Sequence, residues 1–359
     1  MKRQKILYCA STDEHLIRFH LPYIKALDKE YDLHVMGNGS TFSHQAPFCK
    51  QMLSPKNLKA LIEIRRLLRR EQFDLVLTHT ALASFLVRLA AKGMRRPPRI
   101  TVTVHGYLFA KRPRSVRERL FLLCERLVKR QTDLLLVMNR EDLALAKRYD
   151  LSQGEIRLIR GMGLEGKSRD TEPLHLRNRL GLLPEDMLCL YVGELSQRKN
   201  QMFLIRAFHA LRQRGERAVL LLVGNGAERK ALLREIRRLH LENTVYLLGE
   251  QKKIYSYLRE TDLYVSASCS EGLPFNILEA MEIGLPILAS RIKGHEDLLG
   301  SCPDSLYPDG DEEAFCKCLI GRKREGRLGQ GSHAYPNLER YRLSSVFDEN
   351  LALLKGGKP

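Results

Sequence analysis

The feature that most constrains this chain is an alternation that runs through almost all of its 359 residues. Short apolar, β-branched runs are separated by longer segments whose apolar residues recur at helical spacing. Strand-like runs fall at 5–10, 32–36, 74–78, 100–104, 134–138 and 156–159, with helix-period segments such as 57–70, 82–92 and 115–129 between them. The scheme then repeats: 188–192, 219–223, 245–248, 263–266 and 287–289 read as strands, and 202–212, 228–239, 254–259 and 277–283 as helices. Strand runs alternating with helical runs of this kind imply parallel sheets covered by helices on both faces. The expected fold class is α/β, with two Rossmann-like domains whose parallel sheets face a central cleft.

The length suits two cores better than one. The polar, non-periodic stretch 166–175 is the candidate linker. It gives an N-terminal domain over 1–167, a C-terminal domain over 168–340, and a helical segment over 341–359 that packs back on the first. Ligands of open α/β sheets bind beyond the carboxyl ends of the strands, so functional residues are expected at strand tips.

Three glycine-bearing strand ends carry the second half. Ser270-Glu271-Gly272-Leu273-Pro274-Phe275-Asn276-Ile277-Leu278-Glu279 follows a strand and opens a helix. Gly272 permits a tight turn, and Pro274 suits the first helical turn, where its missing N–H costs nothing. The N–H groups of Phe275, Asn276 and Ile277 are then available as a phosphate cradle. Glu271 in the loop and Glu279 inside the helix are placed to reach different parts of one ligand. In Tyr191-Val192-Gly193-Glu194-Leu195-Ser196-Gln197-Arg198-Lys199, Gly193 lets the backbone approach closely, and Arg198 and Lys199 offer a guanidinium fork and a point charge to a diphosphate. Val223-Gly224-Asn225-Gly226 ends another strand, and Arg229 stands where a dinucleotide fingerprint needs its third glycine, so a nicotinamide enzyme is not expected. In the first half, His105-Gly106 places an imidazole at a strand tip, and His20, His79 and Thr80 sit at strand ends or helix starts.

Charge and cysteine usage narrow the partners. Lys and Arg total 60 against 42 Asp and Glu, a net charge of +18 that favours nucleic acid, anionic lipid or phosphorylated ligands. No zinc-finger spacing, aromatic-interleaved basic patch or RNA-binding module accompanies it, so nucleic acid is not an expected partner. The eight cysteines include no CxxC pair; Cys9, Cys124 and Cys189 lie in apolar runs and read as buried thiols of a reducing compartment. Asp309-Gly310-Asp311 is the one Asp-x-Asp, and Asp311 reads as a helix N-cap, so no metal ligand set is expected. The N-terminus lacks a signal peptide, and no apolar run approaches the roughly 18 residues of a membrane span.

The Val-Gly turn with Arg198-Lys199-Asn200, the glycine loop at 224–226, Glu271 with Glu279, and Ala289-Ser290 followed by Gly294-His295-Glu296-Asp297-Leu298 together resemble glycosyltransferase family 4, of the GT-B fold. The first half resembles its bacterial exopolysaccharide and capsule branch, on Phe19-His20-Leu21-Pro22-Tyr23, His79-Thr80, His105-Gly106-Tyr107-Leu108-Phe109 and Asn139-Arg140-Glu141-Asp142. The resemblance implies a retaining transferase that needs no metal and no cofactor beyond a nucleotide-sugar donor, uridine diphosphate being the commonest nucleotide. It assigns Glu271 to the transferred sugar, Glu279 to the ribose hydroxyls, Arg198 and Lys199 to the diphosphate, and His105 to the sugar from the other domain. Gly193, Gly224, Gly226, Gly272, Leu273, Phe275, Asn276 and Ile277 would line the donor. The acceptor would be a saccharide or lipid-linked carrier at the cytoplasmic leaflet, where the basic segment 111–130, with Leu120, Leu123, Leu127 and Val128 at helical spacing, would rest on anionic lipid. One departure is Glu194, where many members carry Arg after the glycine of the turn; Arg198 would supply that charge. A catalytically silent partner subunit and another sugar-nucleotide enzyme, such as an epimerase, are the alternatives.

Overall fold

The computed structural model describes residues 3–49, 51, 54–166, 172–326, 328–329, 331 and 333–356. The chain forms two compact units, one of Met1–Gly163 with Leu343–Pro359 and one of Leu164–Arg342. Half of the candidate linker, residues 167–171, lies outside the described residues.

The first unit is a seven-stranded sheet of β1 (Lys5–Cys9), β2 (Asp32–Gly37), β3 (His44–Gln45), β4 (Leu75–His79), β5 (Arg99–Val104), β6 (Leu134–Val137) and β7 (Glu155–Leu158). Its order is β3-β2-β1-β4-β5-β6-β7, every pairing parallel. The helices are α1 (Asp13–Phe19), α2 (Leu21–Glu30), α3 (Pro55–Glu71), α4 (Ala81–Ala91), α5 (Val116–Val128) and α6 (Arg140–Arg148). All five β4 residues are buried, as a strand covered on both faces must be. The α/β, Rossmann-like expectation holds.

The second unit has α7 (Leu176–Arg179), β8 (Met187–Val192), α8 (Gln201–Gln213), β9 (Ala218–Val223), α9 (Arg229–Arg238), β10 (Val245–Gly249), α10 (Ile254–Glu260), β11 (Leu263–Ser266), α11 (Phe275–Glu282), β12 (Ile287–Ser290), α12 (Lys293–Leu299), β13 (Leu306–Tyr307) and α13 (Glu312–Arg324). The sheet order is β10-β9-β8-β11-β12-β13, again parallel. Strand order reverses direction between β1 and β4 in the first sheet and between β8 and β11 in the second, the two places where such sheets open a crevice. Asp311 caps α13 by accepting from Ala314 N at 2.9 Å.

The last helix, α14 (Leu343–Leu354), completes the first unit. Asn350 donates to Tyr23 Oη at 3.0 Å and to the Gly161 carbonyl at 2.8 Å, and Phe347 stacks on Tyr23. Gly163 admits this helix: a Cβ there would stand 2.6 Å from Leu343 Cα.

Candidate functional site

In the second unit β8 and β11 pair only at Cys189 and Leu190, then diverge. The ladder groups of Val192 lose a strand partner, and an unpaired buried backbone group is costly. Side chains replace the strand. Tyr264 Oη accepts from Val192 N and donates to Val192 O, both at 3.2 Å, and Asn276 Nδ2 donates to Val192 O at 2.8 Å and to Tyr264 Oη at 2.7 Å. Asn276 therefore braces the mouth of the crevice from inside, and its side chain is not turned to a ligand. Ile277 N–H is also engaged, with Asn276 Oδ1 and Pro274 O, both at 3.1 Å. Of the three N–H groups expected to form the cradle, that of Ile277 is thus taken up inside the loop. Pro274 is the N-cap rather than the first helical residue, and Ile277 is fully buried, while Leu273 and Phe275 pack against the core.

The glycines stand where the expected turns need them. A Cβ on Gly224 would meet Gly193 O at 2.0 Å, and one on Gly226 would meet Leu195 O at 2.2 Å. Gly193 N donates to Val223 O at 2.9 Å, so the two strand ends interlock through bare backbone. Gly294, at the start of α12, comes equally close to the Glu271 loop: its Cβ would lie 2.6 Å from Gly272 O.

Against this backbone lie Arg198, Lys199 and Glu271. Lys199 Nζ forms an ion pair with Glu271 Oε1, and Arg198 Nη1 donates to Glu271 Oε2 and to Ser270 O, both at 2.8 Å. The Glu271 and Lys199 side chains are 8% and 11% exposed, that of Arg198 38%, so the guanidinium is the part of the cluster open to solvent. Burial alone would push the Glu271 carboxyl up, but Lys199 and then Arg198 outweigh it and hold it at about 2. Burial, helped by Arg198, pulls Lys199 down, and Glu271 opposes the fall. The result is a charged, nearly dry cluster with one cation in excess, which suits it to an anionic ligand. Glu194 is exposed; Gln201 Nε2 donates to its carbonyl at 2.8 Å. Glu279 is half-buried on α11; burial, and after it the charge of Glu279, raises the Tyr264 phenol, while Tyr255 is raised by burial and then by Glu282, to which it donates.

His295 was not singled out as a site residue, although its Gly-His-Glu triplet is part of the resemblance. It is fully buried, its Nδ1 donates to Ser290 O at 2.7 Å, and burial holds it down at about 4 despite the opposing charge of Glu271.

In the first unit His105 follows β5, while His79 ends β4 and His20 links α1 to α2. These histidines meet at the reversal point of that sheet, with His15, which the sequence reading did not single out. Thr80, beside them, has φ of 66°, a costly value for a β-branched residue, and its Oγ1 accepts from Ser11 N at 3.1 Å. On α5, Arg88 of α4 fixes the orientation: the guanidinium is wholly buried and bidentate to Glu125 at 2.9 and 3.0 Å. With Glu125 and Val128 turned inward, Val116, Leu120, Leu123 and Leu127 are left exposed, at 41% to 82%. Cys124 is half-buried, unlike Cys9 and Cys189, because it shares this outer helix. Among the described residues no helix is long and apolar enough to cross a membrane.

Two Rossmann-like units, the second with a cationic cluster at the reversal point of its sheet, suit an enzyme that handles an anionic ligand, and comparison with known proteins gives the class: this is a glycosyltransferase of the GT-B fold. Residues 27–161 match the family model described as "Glycosyl transferase 4-like domain" and residues 186–321 that described as "Glycosyl transferases group 1". EpsD of Bacillus subtilis (strain 168), which carries a glycosyltransferase name, is 29% identical over 327 residues, 88% of this chain and 86% of its own. A UDP-Gal:alpha-D-GlcNAc-diphosphoundecaprenol alpha-1,3-galactosyltransferase of Escherichia coli is 27% identical over 279 residues, 76% of this chain and 72% of its own. The structure of Anabaena Alr3699/HepE in complex with UDP-glucose superimposes with a TM-score of 0.70 at 19% identity, covering 98% of this chain and 99% of that one.

Proposed function

We propose that the chain is a retaining, metal-independent transferase that moves a sugar from a uridine-diphosphate donor to a lipid-linked saccharide in bacterial surface-polysaccharide synthesis. The observation that carries this reading is the Arg198–Glu271–Lys199 cluster at the diverging ends of β8 and β11. Two relatives support the donor and acceptor classes through their names alone: one takes UDP-Gal to a sugar on diphosphoundecaprenol, the other is a UDP-glucose complex. In the transfer, the bond from the anomeric carbon to the diphosphate oxygen breaks and the acceptor hydroxyl oxygen forms the new one, its proton passing to the departing diphosphate. Arg198 and Lys199 meet the charge that develops on that oxygen, the largest kind of contribution a preorganised site makes. Glu271 holds both cations in place and addresses the sugar; Glu279, about one turn into α11, addresses the ribose. His105, at the tip of β5, is the first unit's candidate group for the reaction.

Saturation-transfer NMR with a panel of nucleotide sugars, followed by turnover with the best binder, tests the reading; a chain that binds none of them would sink it. Turnover by the purified chain also separates this reading from a silent subunit. Glu279→Ala is expected to weaken uridine-diphosphate binding about tenfold in calorimetry, the loss of one charged hydrogen bond, while changing the rate at saturation little.

The α5 face is assigned to an anionic membrane surface. Its exposed leucines form one stripe, and Lys111, Arg112, Arg114 and Arg117 flank its start. Each such residue near an anionic surface contributes about 1 kcal/mol, so reversing these four to Glu should abolish co-sedimentation with phosphatidylserine liposomes. Binding should also fall with added salt. Equal sedimentation with neutral lipid would make the face an ordinary solvated one.

A further inference from the structure

Four imidazoles crowd the carboxyl edge of the first unit's sheet, and one of them, His105, is the first unit's candidate group for the reaction; an ion held there would be structural, and the transfer chemistry itself would still need no metal. His15 in α1 and His20 behind it bring their Nε2 atoms to 3.1 Å. The His105 ring lies 4.6 Å from that of His15 and 5.6 Å from that of His20, centroid to centroid. One ring nitrogen of each of these three lies within 4.8 Å of the others. Tyr8 Oη is 2.9 Å from His20 Nδ1. Among the described residues, His105 Nε2 is buried with no hydrogen-bond partner, and His79, fully buried and stacked on Tyr8, has none at either ring nitrogen.

Buried polar atoms are normally satisfied, and an orphaned one asks for an explanation. Burial holds all four rings neutral: His15 falls to about 4, and His20, His79 and His105 fall well below the ordinary histidine range, with the neighbouring imidazoles adding to the effect. Neutral imidazoles are the ligands that zinc-class ions prefer, and among the described residues no carboxylate joins the three to favour magnesium or calcium.

We propose that His15, His20 and His105 form a binding site for one divalent transition-metal ion of the zinc class. Tetrahedral zinc, with Zn–N of about 2.0–2.1 Å, spaces its nitrogens about 3.3 Å apart. His15 and His20 are already at that spacing, and His105 has to close by at most about 1.5 Å. In the tautomer that donates Nδ1–H to Tyr8 Oη, His20 keeps Nε2 for the ion and Tyr8 fixes the ring, as an orienting partner does in metal sites. His15 and His105 are each partly exposed, so a fourth position opens to solvent. The ion ties α1 to the tip of β5. The sequence showed no metal ligand set because His15 and His20, though spaced H-x4-H, have no CxxC pair to complete a zinc motif, and His105 lies 85 residues beyond His20.

The test uses the untagged, chelator-treated full chain and needs no sugar donor, so it stands apart from the transferase reading. Titration with Co²⁺ should give one ion per chain with the visible bands of a four-coordinate site. Zn²⁺ should displace it, and Zn²⁺ but not Mg²⁺ should raise the Tm by mass action. Loss of a group that merely orients a ligand costs roughly 10–100-fold in affinity, so His15→Gln and His105→Gln should each weaken Zn²⁺ binding about 100-fold or more. Both residues are partly exposed, and unchanged circular dichroism checks that each variant folds. Unaltered affinity in both variants overturns the site. So does binding lost instead on replacing His34 and His44, a second histidine pair with ring nitrogens 2.7 Å apart, or a dissociation constant weaker than millimolar.

Discussion

Lys199→Ala is expected to slow glycosyl transfer by about 10²–10³-fold, because removal of one preorganised group that stabilises developing charge has that effect. The size follows from burial. Lys199 is 11% exposed in its side chain and faces Glu271, so its charge acts through a medium far less screening than water. Affinity for free uridine diphosphate should change much less, since Arg198, the more exposed cation, remains to hold the ground-state diphosphate. The variant also leaves Glu271 with Arg198 alone and removes the stronger of the two charges that hold its carboxyl down. Initial rates with the cognate donor, set beside calorimetry with uridine diphosphate, distinguish these effects. A rate within a few fold of the parent would remove Lys199 from the mechanism.

Glu271→Gln should cost both transfer activity and stability. Breaking a buried ion pair by removing one partner typically costs about 3–5 kcal/mol. The low end, about 3 kcal/mol, is expected here, because Arg198 is 38% exposed and Lys199 can shed its proton. Binding of the free nucleotide should persist while most transfer is lost; parallel loss in Glu279→Ala and Glu271→Gln would show that the two carboxylates share one role. The pH dependence has a definite sign. The folded-state value of about 2 lies below the ordinary 4.5, so the stability contributed by Glu271 is complete above about pH 4.5 and drains away as pH falls toward 2. Urea unfolding at pH 7 and pH 3 should therefore show the gap between parent and Glu271→Gln narrowing at the lower pH. A gap independent of pH would mean that the carboxyl is not held down by its cations.

The strands of both sheets were legible because buried parallel strands are written as unbroken apolar runs, as in Leu75-Val76-Leu77 and Leu220-Leu221-Leu222. The two edge strands β3 and β13 were not, since two residues such as His44-Gln45 carry no periodicity. The ion-paired trio was legible as residue types but not as an ion pair: sequence spacing placed Arg198 and Lys199 some 70 residues from Glu271, and only adjacency of β8 and β11 joins them. The bracing role of the Asn276 side chain was hidden for a related reason. Nothing local reveals that β8 and β11 part company after Leu190, and it is that divergence which makes the Asn276 amide a substitute for strand pairing. The histidine cluster stayed hidden because His15, His20, His79 and His105 meet only through the order β1-β4-β5 and the helices that follow β1.

The placement of α14 also sets an order of events during synthesis. Domains commonly fold as units while the chain emerges from the ribosome, the first-made one leading. Here residues 343–356 supply part of the first unit's interior: Asn350 satisfies the Gly161 carbonyl, and Leu353 and Leu354 are buried. That interior is incomplete until α14 has been made, whereas Leu164–Arg342 is a continuous stretch of chain that precedes it. The half translated first is thus the half finished last, and its unfinished apolar surface waits through the synthesis of some 180 further residues, the interval in which a nascent chain most needs a chaperone.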